Sequence, residues 1–66
     1  MRLLTAIVYT SEPQINGKQF LKYRNITDKP AARNRFLKFA ARFPGARYVN
    51  WYDRHSREYL GRDYFN

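Results

Sequence analysis

From Thr27 to Gly45 the apolar residues recur at helical spacing. At about 3.6 residues per turn, Ala32, Phe36, Phe39, Ala40 and Phe43 fall within a stripe of about a hundred degrees, with Leu37 at its edge. Such a stripe can seat on a small sheet. Thr27 or Asp28 can cap the free amides at its start, Pro30 falls in the first turn where its missing N–H costs nothing, and Pro44-Gly45 stops it. The pattern predicts one amphipathic helix, with Arg35, Lys38 and Arg42 on one flank and Arg33 on the other.

On either side of this helix the pattern changes to period two. Leu3–Thr10 is β-branched and apolar at both alternating positions, which predicts a strand in the middle of a sheet. Asn16-Gly17 is a hairpin signal, because both residues tolerate the positive φ angles of a type I′ turn. Pro13 removes a ladder donor and predicts a loose extension or bulge before that turn. In Phe20–Ile26, Leu21 and Tyr23 alternate with Lys22 and Arg24, so one face packs and the other shows charge. Ala46–Tyr52 predicts a third strand, with Val49 and Trp51 on one face and Tyr48, Asn50 and Tyr52 on the other. A polar turn then leads to a fourth strand, Arg57–Leu60, and a tail from Gly61 that either frays or packs Tyr64 and Phe65.

The element order is ββαββ in a single domain over residues 1–66. This is an α+β chain with one helix across one face of a small, mainly antiparallel sheet. A β-grasp-like arrangement, in which the first strand pairs in parallel with a later one, has the same order.

At this length folding buries only about 60% of the unfolded surface, so the core is thin. With no cysteine and one histidine, neither a disulfide framework nor a Cys/His zinc site can staple it. One Trp, six Tyr and five Phe supply aromatic bulk instead, and a homodimer sharing its core is the other route. The lack of cysteine suits a reducing cytosol, and a cytoplasmic protein is expected. The longest apolar run, Ala6 to Tyr9, is far short of the about 20 residues of a membrane span, so no membrane partner is expected. The first ten residues, broken by Thr5 and without a small-residue cleavage site, read as a strand and not a leader.

Charge sharpens the picture. The formal net charge is +8, yet residues 1–17 and residues 48–66 each sum to zero. The whole excess lies between Lys18 and Arg47, where the basic residues face only Asp28. Such localisation points to an anionic partner, DNA or RNA, held by Lys22, Arg24, Arg33, Arg35, Lys38, Arg42 and Arg47 through the backbone, with low sequence specificity. Tyrosine and arginine also interleave, and Tyr48 and Tyr52 are the candidate aromatic anchors, either for unpaired bases or for the acidic surface of a larger host protein. That adaptor or inhibitor role is the second expectation.

A third expectation is a metal-independent ribonuclease built on His55 and Glu58 with Arg54, Arg57 and Tyr59. A polar hairpin turn in a basic protein produces the same residues without function, so the chain is read as a non-enzyme with no catalytic residues. Asp53, Glu58 and Asp63 make a poor magnesium site, each having an arginine beside or near it to pair with. No metal and no cofactor are expected, and no Gly-rich phosphate loop or nucleophile elbow occurs among the three glycines. In size, charge and lack of cysteine the chain resembles small accessory proteins of bacteria, phages and plasmids, a likeness that no motif carries.

Overall fold

β1 (Leu3–Thr10) is paired along both edges, with β2 (Phe20–Thr27) on one side and β3 (Ala46–Asp53) on the other. β4 (Tyr59–Tyr64) lies outside β3, giving the sheet order β2-β1-β3-β4 with every pair antiparallel. The computed structural model describes residues 1–65; Asn66, the last residue of the predicted tail, lies outside them. Because β1 and β3 run antiparallel, the β-grasp-like alternative is excluded. β2 and β3 consequently run in the same direction, and α1 (Pro30–Ala40) carries the chain from one to the other across one face of the sheet.

Strand alternation decides what that face buries. Leu4, Ala6 and Val8 of β1, Val49 and Trp51 of β3, and Ala40 of α1 form a core at 0–1% exposure. Each large side chain among them contributes about 1.5–3 kcal/mol by leaving water. Around this centre Tyr23 meets Phe36, Phe39 and Phe43 at centroid distances of 5.5, 5.5 and 6.2 Å, and Phe36 reaches Trp51 at 5.7 Å. Interlocking rings thus close a core that has no cysteine to staple it.

Several boundaries differ from the sequence reading. The helix ends at Ala40 instead of running to Pro44, because Arg42 and Phe43 donate to the carbonyls of Phe39 and Ala40 in a tighter turn that brings Phe43 onto Tyr23. Gly45 closes this turn at φ 72°, and a Cβ there would lie 2.7 Å from Ser11 Oγ and 3.0 Å from the Glu12 nitrogen. Neither Thr27 nor Asp28 caps the helix. Thr27 ends β2, Lys29 holds the cap position without a side-chain bond, and Asp28 turns to Arg33 Nε at 3.3 Å and Arg2 Nη1 at 3.8 Å. Phe39, placed on the predicted core stripe, is 46% exposed at the margin.

The first hairpin is not a type I′ turn, since only Gly17, at φ 77°, has a positive φ there. Gly17 N donates to Gln14 O and Gln14 N to Lys18 O, both at 2.8 Å, which is a turn followed by a left-handed glycine bulge. The fourth strand starts later and runs further than expected, through Tyr64. Phe65 N donates to Arg47 O at 3.1 Å, and of the two tail rings Phe65 packs against the core while Tyr64, paired in β4, stays exposed.

Candidate nucleic-acid interface

Among the described residues the face away from α1 is covered by no other element, and the pairing register arranges its side chains in rows. In the first row, Phe20 of β2, Tyr9 of β1, Tyr48 of β3 and Tyr64 of β4 are successive cross-strand partners. Their ring centroids are separated by 6.4, 5.0 and 5.7 Å, and Tyr9 and Tyr48 are stacked. With strands about 4.8 Å apart, the row crosses about 14 Å of sheet. The outer rings are open to solvent, Phe20 at 40% and Tyr64 at 65%.

The next row is Lys22, Ile7, Asn50 and Arg62. Arg62 is fixed there: its Nε donates to Asn50 Oδ1 at 2.7 Å and its Nη1 to the Tyr64 hydroxyl at 3.2 Å. Its guanidinium lies 4.1 Å from the Tyr48 ring centroid. A third row carries Thr5, Tyr52 and Tyr59, the two tyrosines meeting edge to face at 5.6 Å. Burial first, and then the neighbouring phenols of Tyr52 and Tyr48, raise the Tyr9 hydroxyl above the ordinary tyrosine range, so this ring stays neutral.

At the third-row end the open face holds a cavity of about 320 Å³. Lys22 and Arg24 reach it from β2, Thr5 and Ile7 from β1. Tyr52, Asp53, Arg54 and Arg57 reach it from the end of β3 and the turn beyond. Asp53 has other engagements: its Oδ1 accepts from the His55 and Ser56 amides at 2.9 and 2.8 Å, and its Oδ2 lies 3.5 Å from Arg2 Nε. The Ser56 and His55 amides, in that order, hold its carboxyl below the usual aspartate range. Among the described residues only Arg2 and Arg33 form ion pairs with carboxylates, so none of the four cations of the cavity is paired with one.

The seven cations named from sequence do not share one surface. Lys22 and Arg24 line the cavity on the open face, while Arg35, Lys38 and Arg42 are exposed on or just beyond the helix, which covers the opposite face. Arg33 is half-buried, with its guanidinium 5.1 Å from the Trp51 ring centroid and its Nε beside Asp28. Arg47 is exposed, 5.8 Å from the Tyr48 ring centroid. Tyr48 and Tyr52 both lie half-buried on the open face.

Sequence reasoning passed over Tyr9 and Phe20, placed Arg54 and Arg57 only in the ribonuclease reading, and met Arg62 and Tyr64 only as part of the arginine and tyrosine interleaving. Summed along the chain, Arg54, Arg57 and Arg62 cancel against Asp53, Glu58 and Asp63, yet the fold gives Asp53 and Asp63 other partners and leaves Glu58 exposed. Asp63 accepts the Trp51 indole N–H at 2.8 Å and Asp53 turns to its own loop and Arg2, so the expected local arginine pairs do not form. His55 and Glu58 are exposed and do not line the cavity. Among the described residues no group of three or more His, Cys, Asp or Glu is placed to hold a metal ion, and no helix is long and apolar enough to cross a membrane.

Comparison with family models, with curated proteins and with solved structures gives no match, so the site is read from its own geometry.

Proposed function

We propose that this chain binds single-stranded nucleic acid across the open face of its sheet, backbone-directed and with low sequence specificity. One observation carries the reading: the unbroken row of Phe20, Tyr9, Tyr48 and Tyr64, one ring from each strand, bordered by cations that form no ion pair with a carboxylate among the described residues. Bases of any identity have a π-face to lay on exposed rings, and unpaired arginines and lysines follow phosphates. A duplex hides its base faces and cannot use such a row. The helix cations Arg35, Lys38 and Arg42 add to the field that attracts a polyanion without touching the strand laid on the sheet.

The test is fluorescence anisotropy with labelled single-stranded DNA, single-stranded RNA and duplex DNA at about 50 and about 200 mM salt. Tighter binding of a single strand than of the duplex, with a steep salt slope, is expected. Preference for the duplex would move the site to the helix flank.

A second reading uses the same residues. Tyr64 and Tyr59, 65% and 52% exposed within a basic field, suit anchors for the acidic surface of a partner protein. Weak binding of every nucleic acid, even at low salt, would favour it.

A further inference from the structure

We propose that the cavity at the third-row end is a seat for a terminal phosphate, a phosphomonoester at the end of the strand that the aromatic rows hold. The inference rests on the single-strand reading and adds to it the group that sets where the strand begins.

Convergence is the first argument. Cations that track a backbone are spread along a groove, whereas Lys22 and Arg24 from β2 and Arg54 and Arg57 from the turn after β3 come from two sides into one concavity. A phosphodiester inside a strand carries one negative charge. A terminal phosphate carries about −1.5 to −2 at neutral pH and presents three strong acceptor oxygens. A cluster of three guanidinium groups and an ammonium matches the terminal group in charge and in donor number.

Unspent donors are the second argument. Arg54 Nε is buried and has no hydrogen-bond partner, and none of the four cations faces a carboxylate within ion-pair distance among the described residues. Asp53, among the described residues the single carboxylate lining the cavity, accepts from two amides of its own turn and faces Arg2. It therefore shapes the turn more than it offsets the cavity.

The turn itself is fixed for this task. Arg54 N donates to Leu3 O at 2.9 Å and Arg57 N to Asp53 O at 3.0 Å. Arg57 is held at φ 66°, a left-handed conformation that a glycine or asparagine would adopt with less strain. An arginine in that position keeps a cation at the cavity where backbone ease alone would favour another residue.

Size and surroundings complete the case. About 320 Å³ is room for a phosphate together with its sugar, at the small end of ligand sites. Tyr52 lines the same cavity and meets Tyr59, so the first base past the phosphate has rings beside it. From there to the aromatic row is about 14 Å along the strands.

The experiment compares one short single strand made with a 5′-phosphate, with a 3′-phosphate and with both ends hydroxyl, binding to wild type, Arg54→Gln and Arg57→Gly at about 150 mM salt. Arg57→Gly suits the local φ and keeps the fold if Arg54→Gln does not. One phosphorylated form is expected to bind at least about tenfold tighter than the hydroxyl-ended strand, and the ratio is expected to fall to about two or less in both variants. Equal binding of all three forms by wild type would overturn the seat and leave strand binding standing. A preference that survives in both variants would overturn its placement in this cavity. A free nucleoside monophosphate that displaces the strand as well as the phosphorylated strand itself would keep the phosphate chemistry and overturn the strand end as its source. If no strand binds at all, the single-strand reading falls, and binding of the monophosphate alone would then assign the cavity to a free nucleotide.

Discussion

The guanidinium of Arg62 lies 4.1 Å from the centroid of the Tyr48 ring, anchored by its Nε bond to Asn50 Oδ1. Tyr48 also stacks on Tyr9 at 5.0 Å. The centre of the open face is therefore pre-ordered, and the solvent-facing rings at its ends carry the variable contacts. Replacing Tyr64 by Ala removes a 65% exposed ring, so the melting temperature should shift little. Affinity for a single strand should fall by about 1–3 kcal/mol, roughly five- to a hundred-and-fiftyfold. Titration of the variant beside the wild type checks both.

The division of cations between two faces sets the next expectation. Removing Arg35, Lys38 and Arg42 together should weaken single-strand binding by only a few fold at low salt, an effect that fades near physiological salt as the field is screened. Lys22→Ala with Arg24→Ala should cost more and flatten the salt slope by about two phosphate contacts. Affinities across a salt series for the two variants make the comparison.

Asp53 predicts a pH dependence of stability. Its carboxyl titrates lower in the folded chain than in the unfolded one, because the Ser56 and His55 amides and Arg2 favour the charged form. The stabilisation is complete above the unfolded value of about 3.9 and is lost as the pH falls through the folded value. Asp53→Ala should therefore melt below wild type at neutral pH, with the gap closing below about pH 4. Melting curves over an acid series measure it.

Asp63 supports the core and not the interface. Its Oδ2 accepts the indole N–H of Trp51, a residue at 1% exposure. Asp63→Ala leaves that donor unpaired, and stability should drop by about 1–3 kcal/mol. Urea unfolding followed by tryptophan fluorescence reads it.

Much of the fold was legible because its signals are local. The alternation in Leu3–Thr10 and the stripe of Ala32, Phe36 and Ala40 each state a period within one element, and both elements form. The helix end and cap were misread because Phe43 is drawn to Tyr23 and Asp28 to Arg33, contacts that a local rule does not contain. The candidate site was less legible for the same reason. Tyr48 and Tyr52 could be placed on one strand face, but Tyr9, Phe20 and Tyr64 join Tyr48 only through strand register. Linear charge counting set Arg54 and Arg57 against Asp53 and Glu58, whereas the fold brings them to Lys22 and Arg24.

The central claim is that a single strand lies on the open face of the sheet. Backbone amide chemical shifts followed during titration with a short single-stranded oligonucleotide test it most directly. The expected perturbations fall on Tyr9, Phe20, Lys22, Tyr48, Arg62 and Tyr64, with Arg35, Lys38 and Arg42 little changed. Perturbations confined to the helix from Arg35 to Arg42, with the aromatic row unmoved, would contradict the account.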